Sequence, residues 1–182
     1  MKIIKTKIEG LLIIEPRVFK DDRGYFFESY HNERYKKEGI VADFIQDNEA
    51  FSTYGVVRGL HYQLGPFSQA KLVRVIKGRV LDVAVDLRKN SPTFGEWVAV
   101  ELNEDDKIQF FVPRGFAHGY SVLSETAIFA YKCDNVYNPE SERGIKLNDT
   151  KLNIDWKIPF EKQVISSKDK ILPKFDNAEM NF

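Results

Sequence analysis

Histidines are the first residues in this sequence that could carry acid–base chemistry, and there are three of them: His31, His61 and His118. His61 and His118 lie in short segments rich in polar residues and glycine, at 57–63 and 112–119. A histidine side chain exchanges its proton nearest neutral pH, so it is the natural candidate for a general base. A histidine near a strand end is more often a surface or hydrogen-bonded core residue, so each one alone leaves both interpretations open.

The spacing around His118 also suggests a possible metal site. Pro113, Gly115 and His118 resemble the second signature of the cupin barrels, many of which bind a metal through His and Glu ligands. The first cupin signature contains two histidines separated by one residue, but here Gln63 stands where the second would follow His61. No replacement ligand occurs at a spacing that completes a site of two histidines and one carboxylate. The sequence therefore predicts no bound metal, and we expect no other cofactor.

Two cations and a tyrosine could complete a proton-transfer site around His61. Arg58 precedes His61 by three residues, and Lys71 begins the next predicted strand. Lys71 is either the exposed end of that strand or a cation that points into a cavity, where it would stabilise a developing oxyanion. Tyr131 shares a strand face with Phe129. A buried tyrosine hydroxyl needs a partner, so Tyr131 is either a core hydrogen bond or an acid in a pocket.

Short strands must position these residues, because apolar and polar residues alternate along the middle of the chain. Leu81 and Val83 share one face of a segment with period 2, while Asp82 and Asp86 lie on the other face. The predicted strands are residues 71–76, 79–87, 96–102, 108–112 and 127–133. We expect Lys77 and Gly78 to form a tight hairpin between the first two of these strands.

Helical patterns are scarce in the rest of the chain. Asn32 is predicted to cap a short helix over residues 33–38, which Gly39 would end. Roughly the last forty residues carry only weak patterns, and we expect them to cover the core as a tail. The sequence therefore predicts one all-β domain over residues 1–182, a sandwich or barrel with short peripheral helices.

Composition and charge narrow the function classes. The 27 basic and 27 acidic residues balance, so the sequence lacks the basic stripe of a general nucleic-acid binder. Aromatic residues make up 13% of the chain, which favours strands. The single cysteine, Cys133, indicates a reducing compartment. The N-terminal pattern predicts no signal peptide, and no run of about 20 apolar residues occurs, so we expect a cytoplasmic protein without membrane contact.

Several segments carry a family resemblance, in order and almost without gaps, from Ile3 to about Pro173. They are EPRVFKDDRGYFFES at 15–29, QDN at 46–48, RGLH at 58–61, KLVR at 71–74, DVAVD at 82–86, SPTFG at 91–95, PRGFAHG at 113–119, YK at 131–132 and SKD at 167–169. Together they resemble the dTDP-4-dehydrorhamnose 3,5-epimerases, metal-free cupin-like enzymes. The resemblance implies a cupin-like jelly roll and a homodimer in which an N-terminal strand crosses to the partner's sheet. It also implies that the apolar patch at residues 8–14 is a pairing strand.

The same resemblance implies a reaction and a role for each candidate side chain. The substrate would be dTDP-4-dehydro-6-deoxy-D-glucose, whose C4 ketone acidifies the hydrogens on C3 and C5 because either carbanion delocalises as an enolate. His61 would be the base, and Asp169 would orient it. Lys71 would stabilise the enolate oxygen. Tyr131 would return the proton on the opposite face, with an ordinary pKa near 10 that suits this step.

A set of substrate-binding residues is implied as well, in which Arg23 and Glu28 would reach across the dimer. The other members are Phe19, Gln46, Asp47, Asn48, Arg58, Lys71, His118, Glu142 and Lys168. Val136 stands where several family members have a tyrosine that stacks on the thymine. The base would then rest on Tyr137, Phe19 or Phe26, since stacking tolerates different aromatic rings.

Two other functions are compatible with these residues. One is a mono-epimerase that inverts only C3 or only C5 of a related dTDP-4-keto-6-deoxy sugar. The other is a non-catalytic cupin that binds a nucleotide sugar as a sensor. The presence of a base, an acid and a cation argues against the second function, whereas the sequence hardly separates the first from a 3,5-epimerase.

Overall fold

The computed structural model describes residues 1–182 and consists mainly of two antiparallel sheets packed face to face. The six-stranded sheet has the order β1 (Lys2–Lys5), β2 (Leu12–Glu15), β10 (Gln109–Val112), β7 (Lys71–Lys77), β12 (Thr126–Cys133) and β5 (Gln46–Thr53). The five-stranded sheet has the order β13 (Glu142–Gly144), β6 (Val57–Gln63), β11 (Phe116–Val122), β8 (Arg79–Asp86) and β9 (Trp97–Asn103). β3 (Val18–Asp21) and β4 (Gly24–Phe27) form a separate hairpin.

The main core lies between the two sheets. Val73 and Phe129 contribute to it from the six-stranded sheet, and Val80, Ala84 and Val122 contribute from the five-stranded sheet; all five are almost completely buried. Each fully buried valine or phenylalanine side chain among them contributes about 1.5–3 kcal/mol through removal of apolar surface from water. The predicted all-β fold is confirmed, and the predicted central strands match those observed to within one residue at each end.

The C-terminal segment covers the outer face of the five-stranded sheet, as predicted. Trp156 and Phe175 pack there against a second core that includes Val83, Val85 and Leu87. The five-stranded sheet is therefore buried on both faces. Three short elements interrupt this tail: 3-10 turns at Phe160–Lys162 and Phe175–Asn177, and the four-residue helix α2 at Ser167–Lys170.

The predicted hairpin at Lys77 and Gly78 is wrong. β7 pairs with β10 and β12, whereas β8 pairs with β11 and β9, so the connection carries the chain from one sheet to the other. Gly78 has φ +79, and a Cβ atom there would lie 2.1 Å from the carbonyl oxygen of Thr126. Glycine is thus required at this crossing for its backbone angle and for its close approach to the neighbouring chain.

The predicted helix cap is also wrong. The first helix, α1, spans Asn32–Lys37 and has His31 as its N-cap, without a side-chain cap hydrogen bond. The side-chain oxygen of Asn32 instead accepts a hydrogen bond from the Tyr30 hydroxyl, at 3.0 Å. Gly39 does follow the helix end, with φ +91, as its position predicts.

The N-terminal apolar patch differs from the single strand predicted over residues 8–14. Ile8 and Leu11 are core residues outside any strand, and only Leu12–Glu15 pairs, with β1 and β10 of the same chain. Turn formation around Gly10, which has φ +94, divides the patch. The exchange of a strand with a second protomer stays a prediction. None of the helices is long and apolar enough to cross a membrane.

Candidate active site

A cavity of about 490 Å³ opens between the two sheets and contains most of the side chains singled out in the sequence. His61 and Arg58 enter it from β6, Lys71 from β7, Tyr131 from β12 and Asp169 from α2. His118 and Lys168 also line it. Side chains that are distant in sequence thus meet in a space of the size that small-molecule sites have.

An irregularity in β6 brings Arg58 and His61 to the same face. Residues three apart on a regular strand point to opposite faces, because side chains alternate with period 2. Here His118 pairs with His61 and Tyr120 with Arg58, so three steps along β6 match two along β11, as in a β-bulge. Gly59 lies at this point with φ +126, and its backbone passes very close to β11.

His61 forms a direct pair with Asp169. Its Nε2 lies 2.8 Å from Asp169 Oδ1, and the Asp169 carboxyl is 96% buried while the His61 ring is 29% exposed. Ser166 caps α2 by accepting a hydrogen bond from the Asp169 backbone N–H, which fixes the carboxyl at the base of the cavity. Burial alone would raise the pKa of Asp169, but the hydrogen bond and charge of His61, together with hydrogen bonds from Ser166 and the Gly59 backbone, outweigh it and lower that pKa.

A second histidine–aspartate pair lies one strand away. His118 Nε2 is 2.9 and 3.0 Å from the two carboxyl oxygens of Asp82, and both side chains are buried. The His118 ring stacks on Phe129, with 6.2 Å between ring centroids. The carboxylate binds Nε2, so Nδ1 is the ring nitrogen of His118 that remains for another partner.

Lys71 and Tyr131 stand together on the opposite sheet from His61. The Lys71 Nζ lies 5.8 Å from the centre of the Tyr131 ring. Burial lowers the pKa of Lys71, because the charged ammonium loses water. Burial raises the pKa of Tyr131, with a smaller contribution from the nearby Cys133 thiol, so its hydroxyl stays protonated at neutral pH.

A second cavity of about 300 Å³ adjoins the first and shares His61, Lys71, His118 and Tyr131 with it. Gln46, Asn48 and Glu142 line this second cavity, and Tyr137 stands beside Glu142. The Tyr137 hydroxyl donates to Glu142 Oε2 at 2.7 Å, and Lys168 Nζ pairs with the same oxygen. Burial alone would raise the pKa of Glu142. The hydrogen bonds from Lys168 and Tyr137 outweigh this effect and lower the pKa.

Some predicted binding residues lie outside both cavities. Arg23 is highly exposed and pairs with Asp21, and Glu28 pairs with Arg34. Phe19 is half exposed on the β3–β4 hairpin. Asp47 lies beside the site but pairs with Lys132, and it lines a separate surface groove together with Asn48. Within one protomer, Phe19, Arg23, Glu28 and Asp47 therefore do not contact the space around His61, whereas Asn48 also lines the second cavity.

Sequence reasoning missed Tyr120 and Gln63. Tyr120 lines the first cavity and lies two residues after His118 on the same strand, so period 2 would have assigned it to the same face. Gln63 donates hydrogen bonds to the carbonyl oxygens of Phe67 and Val136, and so holds the loop that follows β12.

No group of three or more His, Cys, Asp or Glu side chains is close enough to hold a metal ion.

Comparison with known proteins identifies close relatives over nearly the whole chain. Residues 5–177 match the family model of dTDP-4-dehydrorhamnose 3,5-epimerase. A dTDP-4-dehydrorhamnose 3,5-epimerase of Shigella flexneri is 49% identical over 180 residues, covering 98% of each chain. The crystal structure of the enzyme of that name from Elizabethkingia anophelis NUHP1 superposes with a TM-score of 0.94, at 54% identity and 97% coverage of each chain.

A further solved structure carries a sugar nucleotide. It is the dTDP-6-deoxy-D-glucose-3,5-epimerase of Legionella pneumophila Philadelphia 1 in complex with dTDP-4-keto-L-rhamnose. It is 49% identical to this chain and has a TM-score of 0.93, covering 97% of this chain and 93% of its own. The two sheets described above therefore have the same arrangement as in these epimerases, and the predicted cupin-like jelly roll is confirmed.

Proposed function

The chain belongs to the dTDP-4-dehydrorhamnose 3,5-epimerase family, and from this premise we propose how its residues invert C3 and C5 of dTDP-4-dehydro-6-deoxy-D-glucose. The enzyme is an isomerase, and its product is dTDP-4-dehydro-L-rhamnose, in dTDP-L-rhamnose biosynthesis. One observation carries the proposed mechanism. The His61–Asp169 pair shares a cavity with Lys71 and Tyr131, which stand on the other sheet.

His61 is the proposed base. Its ring takes the proton from C3 or C5, the C–H electron pair becomes a C=C bond, and the C4 carbonyl electrons move onto oxygen. The buried Asp169 carboxylate stabilises the imidazolium that forms and holds the ring in place. General-base catalysis of this kind typically contributes about 10²–10⁴-fold to the rate.

Lys71 stabilises the enolate in this proposal. Its ammonium is partly buried, so the positive charge acts on the enolate oxygen with less screening by water. One fixed donor of this kind is worth about 3–4 kcal/mol of transition-state stabilisation in other enzymes.

Tyr131 is the proposed acid that completes inversion. β12 carries it in the six-stranded sheet, whereas β6 carries His61 in the five-stranded sheet, so the two groups approach a bound ring from opposite sides. The enolate carbon takes the phenolic proton, and the carbonyl re-forms. Proton exchange with solvent then restores the neutral His61 and the protonated Tyr131, after which the second carbon reacts in the same way.

The nucleotide would occupy the second cavity and the surface beyond it. Gln46, Asn48 and Glu142 supply neutral and acidic hydrogen-bonding groups there, next to the shared residue Lys71. Val136 offers no ring, but Tyr137 follows it directly in the chain and lines the second cavity. Tyr137 therefore takes the role of base-stacking residue in this proposal.

A homodimer would bring Arg23 and Glu28 to the substrate. Both lie on or next to the β3–β4 hairpin, which makes no sheet with the rest of its chain and exposes Phe19, Tyr25 and Phe26. Exposed apolar side chains of this kind are typical of a contact surface. We propose that the hairpin packs on a second protomer and that Arg23 reaches the diphosphate there.

The cytoplasm is the proposed location of the enzyme. The one cysteine, Cys133, is a free thiol buried beside the site, as suits a reducing compartment. We propose neither a nucleic-acid partner nor a membrane partner, because the chain has balanced charge and a small-molecule cavity.

The reaction can be followed by NMR in deuterated water with dTDP-4-dehydro-6-deoxy-D-glucose as substrate. We expect deuterium at both C3 and C5 and a product of L configuration. Deuterium at only one carbon would identify a mono-epimerase instead. The absence of any exchange by the wild-type enzyme would overturn the proposed function.

The variant His61→Ala separates the enzyme from a sugar-nucleotide sensor. We expect it to lose exchange at both carbons while it still binds dTDP. His31→Asn is the matched control, because His31 lies at the start of α1 outside the cavity. Unchanged exchange by His61→Ala would show that His61 is not the base.

A further inference from the structure

Tyr120 has a buried hydroxyl that forms no hydrogen bond of ordinary geometry within the protein. The residue is 95% buried and lines the cavity of His61 and Tyr131, yet its Oη has no hydrogen-bond partner. A buried polar group left without a partner costs about 1–3 kcal/mol. Native proteins pair nearly all such groups, so each exception calls for an explanation in terms of what binds it.

The polar groups nearest to Tyr120 are occupied with each other. Arg58 donates from both Nε and Nη2 to the Ser52 hydroxyl, at 3.2 Å each. Burial raises the pKa of Tyr120, whereas hydrogen-bonding contact with Ser52 and Arg58 and the charge of Arg58 oppose that rise, although neither contact has the length and angle of an ordinary hydrogen bond. Both groups are thus close to Tyr120, but the hydrogen bonds run between Arg58 and Ser52.

The Tyr120 ring is held firmly in its position. It stacks across the sandwich on Phe129, with 4.2 Å between centroids and 18° between planes. Phe129 in turn lies 5.9 Å from the Tyr131 ring. Tyr120 is therefore a rigid phenol on the floor of the site, close to the proposed acid, and it does not need to be ordered when a ligand binds.

We propose that the Tyr120 hydroxyl hydrogen-bonds an oxygen of the hexose ring and so helps this enzyme to select its sugar. The inference rests on the proposed function, because it requires the sugar to lie between His61 and Tyr131. A hexose oxygen fits the site because it is neutral: a sugar hydroxyl can donate to or accept from the phenol, and the ring and ketone oxygens can accept from it. A site that hydrogen-bonds a substrate group discriminates strongly against analogues that lack it, since its own polar group is then left unpaired.

The variant Tyr120→Phe tests this inference, because it removes one oxygen and keeps the ring that stacks on Phe129. We expect kcat/KM for dTDP-4-dehydro-6-deoxy-D-glucose to fall about 3- to 10-fold, the usual range for one neutral hydrogen bond. Affinity for dTDP alone is expected to stay the same. The free energy of unfolding without substrate is expected to stay the same or to rise, because the hydroxyl has no partner to lose.

Tyr35→Phe is the matched control. The Tyr35 hydroxyl is also buried, but it bonds Gln109 Oε1 at 3.0 Å and the Ser29 carbonyl at 3.2 Å, away from the cavity. This variant should lose stability and keep its kcat/KM.

The possible results distinguish failure of this inference from failure of the proposed function. An unchanged kcat/KM for Tyr120→Phe, or a loss of stability as large as that of Tyr35→Phe, would overturn the inference. Weaker binding of dTDP would overturn it as well, since the hydroxyl would then contact the nucleotide. If the wild-type enzyme itself fails to exchange hydrogen at C3 and C5, the proposed function fails instead.

Discussion

His61 Nε2 and Asp169 Oδ1 lie 2.8 Å apart, although 108 residues separate them in the chain. β6 positions the histidine and the short helix α2 positions the carboxylate, so the pair forms only when the C-terminal tail packs on the five-stranded sheet. The exposed ring faces the cavity while the carboxylate is buried behind it. The tail is therefore a functional part of the site as well as a cover for the core.

Replacement of Asp169 by Asn is expected to lower kcat about 10²–10⁴-fold. An amide has nearly the same shape, but it has no negative charge to stabilise the imidazolium, and its NH₂ group can hold the wrong tautomer of His61. The initial rate of deuterium incorporation measures the effect. Asp155→Asn is the control, because Asp155 pairs with Lys157 on the surface. A loss of less than tenfold for Asp169→Asn would rule out this role.

Replacement of Tyr131 by Phe should impair completed epimerisation more than the initial exchange of substrate hydrogens. The base and the Lys71 cation remain, so the enolate still forms and can be reprotonated from the His61 side with deuterium from solvent. NMR gives both rates in one experiment, as loss of the C3 and C5 signals and as appearance of product. Equal losses in both rates would contradict the assignment of Tyr131 to protonation.

The pH dependence of kcat/KM should reveal Lys71. Burial lowers its pKa from the ordinary value of 10.5, so the cation is present at low pH and is lost as pH rises through that lowered pKa. The pKa of Tyr131 is shifted the opposite way, upward, so the tyrosine ionises later. We therefore expect the rate to fall on the alkaline side at a pH below 10.5.

Two variants of Lys71 check that this alkaline loss belongs to it. Lys71→Arg keeps a charge at every accessible pH and should move the loss upward. Lys71→Gln should lower kcat about 10²–10³-fold at neutral pH, as removal of an oxyanion donor does elsewhere. An alkaline limb at the same pH in Lys71→Arg would mean that another group titrates.

Much of this site could be predicted from the sequence, because side chains alternate along a strand and residues two apart share a face. Lys71 shares a strand face with Val73, and Tyr131 with Phe129, so the pattern offered the interior of the sandwich as one of two positions for each side chain, and the structure places both in the cavity. Only the family resemblance implied that Asp169 lies beside these residues in the site. A helix of four residues at the end of a weakly patterned tail carries no periodicity from which its docking site could be inferred.

Other features required knowledge of strand pairing. Nothing local distinguishes a hairpin at Lys77–Gly78 from a crossing between sheets, since both need glycine there and both join two strands. Arg58 and His61 lie on the same face of β6, although strict alternation would place residues three apart on opposite faces. Their common face depends on the irregular pairing of β6 with β11. Such features are set by partners distant in sequence, which local propensity does not report.

Gly59 links this irregular pairing to catalysis. A Cβ atom there would lie 2.5 Å from Gly119 Cα and 2.9 Å from the His118 carbonyl oxygen, and both contacts are with backbone. Gly59→Ala must therefore push β6 away from β11 at the position between Arg58 and His61. We expect a loss of about 2–4 kcal/mol in the free energy of unfolding, measured with urea, from strain and lost packing.

The variant Gly39→Ala separates the two causes of this loss. Gly39 also has a positive backbone angle, φ +91 against φ +126 for Gly59, but a Cβ atom there would meet nothing within 4 Å, and it lies outside the β3–β4 hairpin and the cavity. Gly39→Ala should therefore show only the torsional part of the cost, about 1 kcal/mol. Gly59→Ala should in addition lower the rate of hydrogen exchange at C3 and C5, because a small displacement of His61 weakens its alignment with the substrate. Equal stability losses in the two variants, with full exchange activity in Gly59→Ala, would show that the close contact of β6 with β11 does not position the base.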